Sequence, residues 1–140
     1  MKNGTQSKST VEVAAGLVFR DGQLLITQRR ATDHLGGLWE FPGGKREAAE
    51  TFVACLQREL TEELGIEVAV ESLVQEVTHA YPEKSVRIQF FRCRWLRHEP
   101  QPLGCAACRW IRREQLADYA FPAADAQLLQ QLAAAAALWR

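Results

Sequence analysis

The stretch from Gly43 to Ile66 constrains this chain more than any other, because it joins a pair of glycines to a strongly patterned run. Phe52, Leu56, Leu60 and Leu64 recur every four residues, Val53 widens the same stripe, and Gly65 stands where a C-terminal cap belongs. The spacing predicts a helix with one face in a core. At roughly 100° per residue, Glu59, Glu62 and Glu63 share a sector about 100° wide beside that stripe, not opposite it. Their carboxylates are therefore expected at the edge of the core.

Alone, that arrangement is unfavourable. Glu59 and Glu63 are like charges at i and i+4, and all three glutamates lie toward the helix end where the macrodipole disfavours anions, each effect costing from a few tenths to about 1 kcal/mol. Arg58 offsets part of this, a divalent cation offsets more, and oxygen ligands with no histidine among them suit Mg²⁺ or Mn²⁺. The plain alternative is a solvated acidic face. The glycine loop in front favours a metal site, since its backbone carbonyls can approach a cation closely.

The 140 residues suffice for one domain, and 47% hydrophobic with 24% charged residues is ordinary globular composition. With a formal charge of +0 there is no global field to draw the chain to nucleic acid or anionic lipid, so phosphate binding has to come from local groups. Residues 1–10 are polar and lack the apolar centre of a signal peptide, and no run approaches a membrane span. They are expected to form a disordered tail before a single domain over residues 11–140, in a cytoplasmic protein. Cys55, Cys93, Cys105 and Cys108 read as reduced thiols, because no secretory signal is seen and disulfides are not expected in a cytosolic protein; Cys105-x-x-Cys108 supplies only two of the four ligands that a structural zinc requires.

Val11 to Phe19 and Gln23 to Thr27 read as strands joined by an Asp21-Gly22 hairpin, followed by a loop over residues 31–37 and a brief strand from Leu38 to Pro42. Beyond the helix, Glu67 to Thr78 reads as a strand with a bend, Ser85 to Leu96 as another, and Arg109 to Ile111 as a short one. Arg113 to Tyr119 predicts a helical turn, and the alanine- and leucine-rich run from Ala123 to Trp139 a packed terminal helix. The fold class is α+β.

Gly44, five residues, Glu50, seven residues, then Arg58-Glu59-Leu60-x-Glu62-Glu63-x-Gly65-Ile66 matches each fixed position of the Nudix box. The chain resembles MutT-type Nudix hydrolases further through Arg29-Arg30-Ala31, Leu38 to Lys45, and Phe121 to Asp125. This resemblance implies an α/β/α sandwich, its mixed central sheet lying between the box helix and the terminal helix, and metal-assisted hydrolysis of a phosphoric anhydride. It implies that Glu59 and Glu63 are metal ligands beside the Gly44 or Gly43 carbonyl, that Glu62 is a ligand or steers the water, and that Arg58 holds the glutamates in place. Glu50 would orient the loop. Many relatives carry a further glutamate shortly before the residue that is Trp110 here; in this chain Cys105 stands there, which leaves the general base open and Glu99 as a substitute.

Outside the box, Arg30 resembles the arginine that contacts substrate in MutT relatives, with a surface ion pair as its plain alternative. His34 lies in the following loop, where it could face a nucleotide. Phe41 stands where the family lines its base pocket, and an aromatic face suits stacking. Asp125 replaces the asparagine of the MutT pattern; ionised, it only accepts hydrogen bonds, and its plain alternative is a helix N-cap. By resemblance the substrate is a nucleoside triphosphate cleaved to the monophosphate and pyrophosphate, with 8-oxo-dGTP favoured and sanitising of the nucleotide pool as the role. CTP or a modified dCTP is the second candidate. A non-catalytic oxidised-base recognition module is the alternative of another class, and the intact set of Arg58, Glu59, Glu62 and Glu63 argues against it. The expected partner is the small nucleotide, with no nucleic acid, membrane or obligate protein partner.

Overall fold

The computed structural model describes residues 9–140. Its sheet contains β1 (Ser9–Arg20), β2 (Gln23–Gln28), β3 (Trp39–Glu40), β4 (Gly43–Lys45), β5 (Glu67–Ala80), β6 (Lys84–Arg97) and β7 (Ala107–Ile111). The helices are α1 (Phe52–Leu64) and α2 (Ala126–Ala134), with 3-10 turns at Arg113–Asp118, Ala123–Asp125 and Ala136–Trp139. The strand order is β3-β2-β1-β6-β5, with β4 pairing β1 and β7 pairing β2 off that path. β1 runs parallel to β6 from Ser9↔Lys84 to Phe19↔Arg94 and antiparallel to β2 and β4, so the sheet is mixed. At the hairpin, Asp21 and Gly22 both take positive φ (51° and 77°), the twist that a two-residue connection needs.

Each face of the sheet buries its own cluster. On one face Leu56, Leu60 and Leu64 of α1 meet Ala14, Val18 and Leu25; on the other, Leu128 and Leu132 of α2 meet Leu17, Phe19, Leu24 and Phe90. Successive residues of β1 and β2 point to opposite faces, which is why both strands read as unbroken apolar runs. The result is the α/β/α sandwich.

α1 forms as its periodicity predicts. The Thr51 side chain accepts the Ala54 N–H at its start, and Gly65 ends it in the left-handed region at φ 70°. β5 carries the bend expected of it as register shifts between Glu67 and Val68, Val70 and Ser72, and Leu73 and Gln75.

Three boundaries differ from expectation. Residues 1–8 lie outside the described residues, but Ser9 and Thr10, assigned to the tail, already belong to β1 because they pair with Lys84 and Ser85. The glycine loop is in fact strand, with Lys45, Gly44 and Gly43 opposite Val13, Ala14 and Ala15. The terminal helix stops at Ala134, and the chain tightens so that the Trp139 ring meets Phe19 edge-on at 5.3 Å and its Nε1 donates to the Leu132 carbonyl at 3.0 Å. Arg92 donates to the Leu138 and Arg140 carbonyls. Burial of the indole outweighs the helix propensity of the alanine run. All four cysteines are free thiols, and among the described residues no helix is long and apolar enough to cross a membrane.

Candidate active site

The last two turns of α1, β4 and β3 converge at one end of the sheet. Arg58 organises the α1 side: its Nε and Nη2 donate to Glu50 at 3.0 and 2.6 Å, and its Nη1 donates to Glu59 at 3.0 Å and Glu62 at 3.2 Å. The Arg58 guanidinium holds the Glu50 carboxyl down at about 2, and Glu50 in turn accepts the Glu47 N–H at 2.9 Å. Glu50 thus orients the loop before α1.

Glu59 lies against Gly44 so closely that a β-carbon on residue 44 would fall inside its carboxylate. Burial raises the Glu59 pKa, and Arg58 opposes the rise. Glu62 is the exposed member of the set, its side chain 59% accessible. Of Glu59, Glu62 and Glu63, it is Glu63 that is most perturbed. Its Oε1 is buried without a hydrogen-bond donor, and burial, then the charges of Glu40 and Glu59, push its pKa up to about 7, against the Gly43 amide and Arg29. A buried carboxylate oxygen without a donor, beside a second carboxylate and a glycine that admits close approach, fits a hard divalent cation. Among the described residues no three acidic, histidine or cysteine side chains are gathered into a ready-made cage, because Arg58 draws Glu59 and Glu62 while Glu63 faces Glu40.

Glu40 and Arg29 belong to this site, and the sequence analysis missed both. Arg29 Nη1 donates to Glu40 at 2.9 Å and its Nε to the His34 carbonyl at 2.6 Å. The Arg29 charge lowers the Glu63 pKa; Arg30 is exposed and donates to the Leu103 carbonyl at 3.4 Å. The alternation Trp39-Glu40-Phe41, a charge between two aromatic residues, was the legible signal for Glu40. Glu99, the suggested substitute for the missing loop glutamate, is instead exposed and paired with Arg20. The carboxylate acting on Glu63 most strongly is Glu40, and Cys105 lies close enough for Glu63 to help burial raise its thiol to about 11.

On the α2 side of the sheet the expected base pocket needs correction at two residues. Phe41 does not present a free face, since it is buried, stacked on Phe121 at 5.1 Å and edge-on to Phe90 at 6.0 Å. Asp125 is only 6% exposed and caps no helix with its side chain; burial and the charge of Glu40 push it up to about 7, so it is not simply an ionised acceptor. His34 is exposed, its ring edge-on to Tyr81 at 6.2 Å.

The Asp125 value carries a stability prediction. Its ordinary value is 3.8, so between about pH 4 and pH 7 the folded protein holds a proton that the unfolded chain has released. Stability is fullest below that window and falls as pH rises through 7, by at most about 4 kcal/mol. Asp125→Asn is expected to flatten thermal stability against pH between 4 and 8, and an unchanged slope would remove Asp125 as its source.

These features match known proteins. Residues 14–131 match the NUDIX domain family, and the chain belongs to it. It is 41% identical over 85 residues to an 8-oxo-dGTP diphosphatase of Proteus vulgaris, covering 60% of this chain and 76% of the relative. It is 34% identical over 120 residues to a CTP pyrophosphohydrolase of Escherichia coli, covering 86% and 89%. A solved MutT structure, from work on Aliivibrio salmonicida and Vibrio cholerae, superposes with a TM-score of 0.75 at 29% identity, over 89% of this chain and 96% of that one. The chain is therefore a Nudix hydrolase, of a family that generally works with divalent metal.

Proposed function

We propose that the chain is a Mg²⁺-dependent pyrophosphohydrolase that converts a nucleoside triphosphate to its monophosphate and pyrophosphate, with 8-oxo-dGTP the preferred substrate and Mn²⁺ an effective substitute. The observation that carries this reading is the buried Oε1 of half-buried Glu63, which has no donor, on the helix of an intact Nudix box. Glu59, Glu63 and the Gly44 carbonyl form the oxygen set that would hold the metal, with Glu62 on the solvent side. A bound divalent ion supplies neutralisation of phosphate charge and a more acidic water.

The protein's own groups do the rest. Arg58 fixes the Glu59 and Glu62 carboxylates through Nη1 and leaves Glu63 to the cleft. Arg29, braced by Glu40 and the His34 carbonyl, is aimed at a substrate phosphate, while Arg30 and His34 line the rim. Asp125 reads the base edge, with Phe41 as the wall behind it. At neutral pH a carboxyl near 7 is partly protonated, so it donates as well as accepts, as an amide does. That supports an 8-oxoguanine edge. The likeness to a CTP pyrophosphohydrolase over 86% of the chain favours cytosine nucleotides as the second reading.

Purified protein with Mg²⁺ is expected to release pyrophosphate fastest from 8-oxo-dGTP in a panel with dGTP, CTP and 5-substituted dCTP. A faster rate on a cytosine nucleotide would transfer the assignment to the second reading, and no release from any of them would end both.

A further inference from the structure

The segment from His98 to Gly104 closes over the C-terminal end of α1. Gln101 N–H donates to the Leu64 carbonyl at 3.0 Å, and the Leu103 and Gly104 amides both donate to the Glu63 carbonyl at 3.0 Å. These bonds satisfy carbonyls that a helix end otherwise leaves without partners. Gly104 also touches the Glu63 side chain: a β-carbon there would lie 3.2 Å from Glu63 Cγ. One loop thus grips the backbone and the flank of the same glutamate.

Besides the Arg30 contact to the Leu103 carbonyl, the loop is held from β1 and β6. Arg20, the last residue of β1, places its guanidinium 4.2 Å from the centroid of Trp110 and 4.8 Å from that of Trp95, and it pairs with Glu99. Trp95 Nε1 donates to the His98 carbonyl at 2.8 Å, tying the same stack to the start of the loop. His98 itself takes φ 72°, an uncommon conformation for a side-chain-bearing residue, at the point where the chain leaves β6. A cation shared by two indole faces and a carboxylate is a stronger tether than an exposed ion pair alone.

We propose that Arg20 is a remote positioning residue for Glu63: held by Trp95, Trp110 and Glu99, it fixes the 98–104 loop whose Leu103 and Gly104 amides and Gly104 backbone set the placement of that glutamate. The proposal rests on the reading of Glu63 as a metal ligand.

The test compares Arg20→Gln, Arg20→Lys, Gly104→Ala and Glu63→Gln. Mn²⁺ binding is followed by electron paramagnetic resonance without nucleotide, and Mg²⁺ dependence by pyrophosphate release. Arg20→Gln is expected to weaken Mn²⁺ binding and raise the half-saturating Mg²⁺ concentration about tenfold, the scale for groups supporting a metal ligand, with nucleotide KM at saturating metal changed less than about twofold. Arg20→Lys, which keeps the charge over the indoles, is expected to restore binding to within about threefold of the parent. Parental Mn²⁺ affinity in Arg20→Gln overturns the proposal, whatever its thermal stability. If that variant does not fold, Gly104→Ala decides, and parental Mn²⁺ affinity there has the same meaning. Parental affinity in Glu63→Gln would instead refute the ligand reading of Glu63. Weakened binding in Glu63→Gln, with Arg20→Gln and Gly104→Ala both parental, refutes the positioning role alone.

Discussion

Glu63→Gln is expected to lower turnover by about 10² to 10³ fold while leaving the protein folded. The substitution keeps the side chain's size and removes its charge, so the packing of α1 is undisturbed. What it deletes is a carboxylate that the protein holds at a cost: burial and the neighbouring charges of Glu40 and Glu59 keep the pKa at about 7, well above 4.5. A group kept in so unfavourable a setting is expected to interact with something that develops during the reaction rather than with the resting protein. The thermal midpoint supplies the control. Because ionised Glu63 destabilises the fold, the variant in metal-free buffer at pH 8 is expected to be at least as stable as the parent. Turnover within threefold of the parent would end the assignment of Glu63, and a large loss of stability would mean that the side chain is structural.

Trp139→Ala is expected to have the largest effect on stability, about 3–5 kcal/mol, seen as a fall of about 10 °C or more in the thermal midpoint. The residue lies beyond α2, yet it is 5% exposed, packs edge-on against Phe19 and donates from Nε1 to Leu132. Its removal opens a cavity between α2 and β1 and leaves the Leu132 carbonyl without that donor. Trp139→Phe is expected to lose less, since it retains the ring contact and forfeits only the hydrogen bond and part of the volume. A midpoint for Trp139→Ala within about 2 °C of the parent would show the terminal turn to be dispensable.

Much of this architecture is legible in the sequence where one physical signal dominates. The stripe of Phe52, Leu56, Leu60 and Leu64 defines α1, the Asp21-Gly22 pair defines its hairpin, and the glycine-to-glutamate spacing defines the family. The reading fails where two signals conflict or where partners are distant. Local alanine propensity argues for helix through residue 139, and only the tertiary placement of Trp139 against Phe19 shortens it. Arg29 and Arg30 are indistinguishable in sequence because β2 is buried on both faces, leaving no alternation to tell which one points to Glu63. Glu40 shows in the sequence only as a charge between two aromatic residues, and its partner is fixed once β3 pairs with β2 and brings it to Arg29. The covering of Phe41 by Phe121 joins residues 80 positions apart, which no local pattern contains.

The parallel pairing of β1 with β6 also has a temporal consequence. Ser9 to Phe19 align with Lys84 to Arg94, so β1 leaves the ribosome about 75 residues before its longest partner exists. During that interval its partners among the described residues are β2 and β4, and those pairings reach just a few of its residues. The apolar run from Val11 to Phe19 is then the segment most open to wrong strand pairing or to capture by a chaperone. The glycine and glutamate stretch to which the chemistry is assigned is synthesised before β5, β6 and β7, and its sheet is complete only once they arrive.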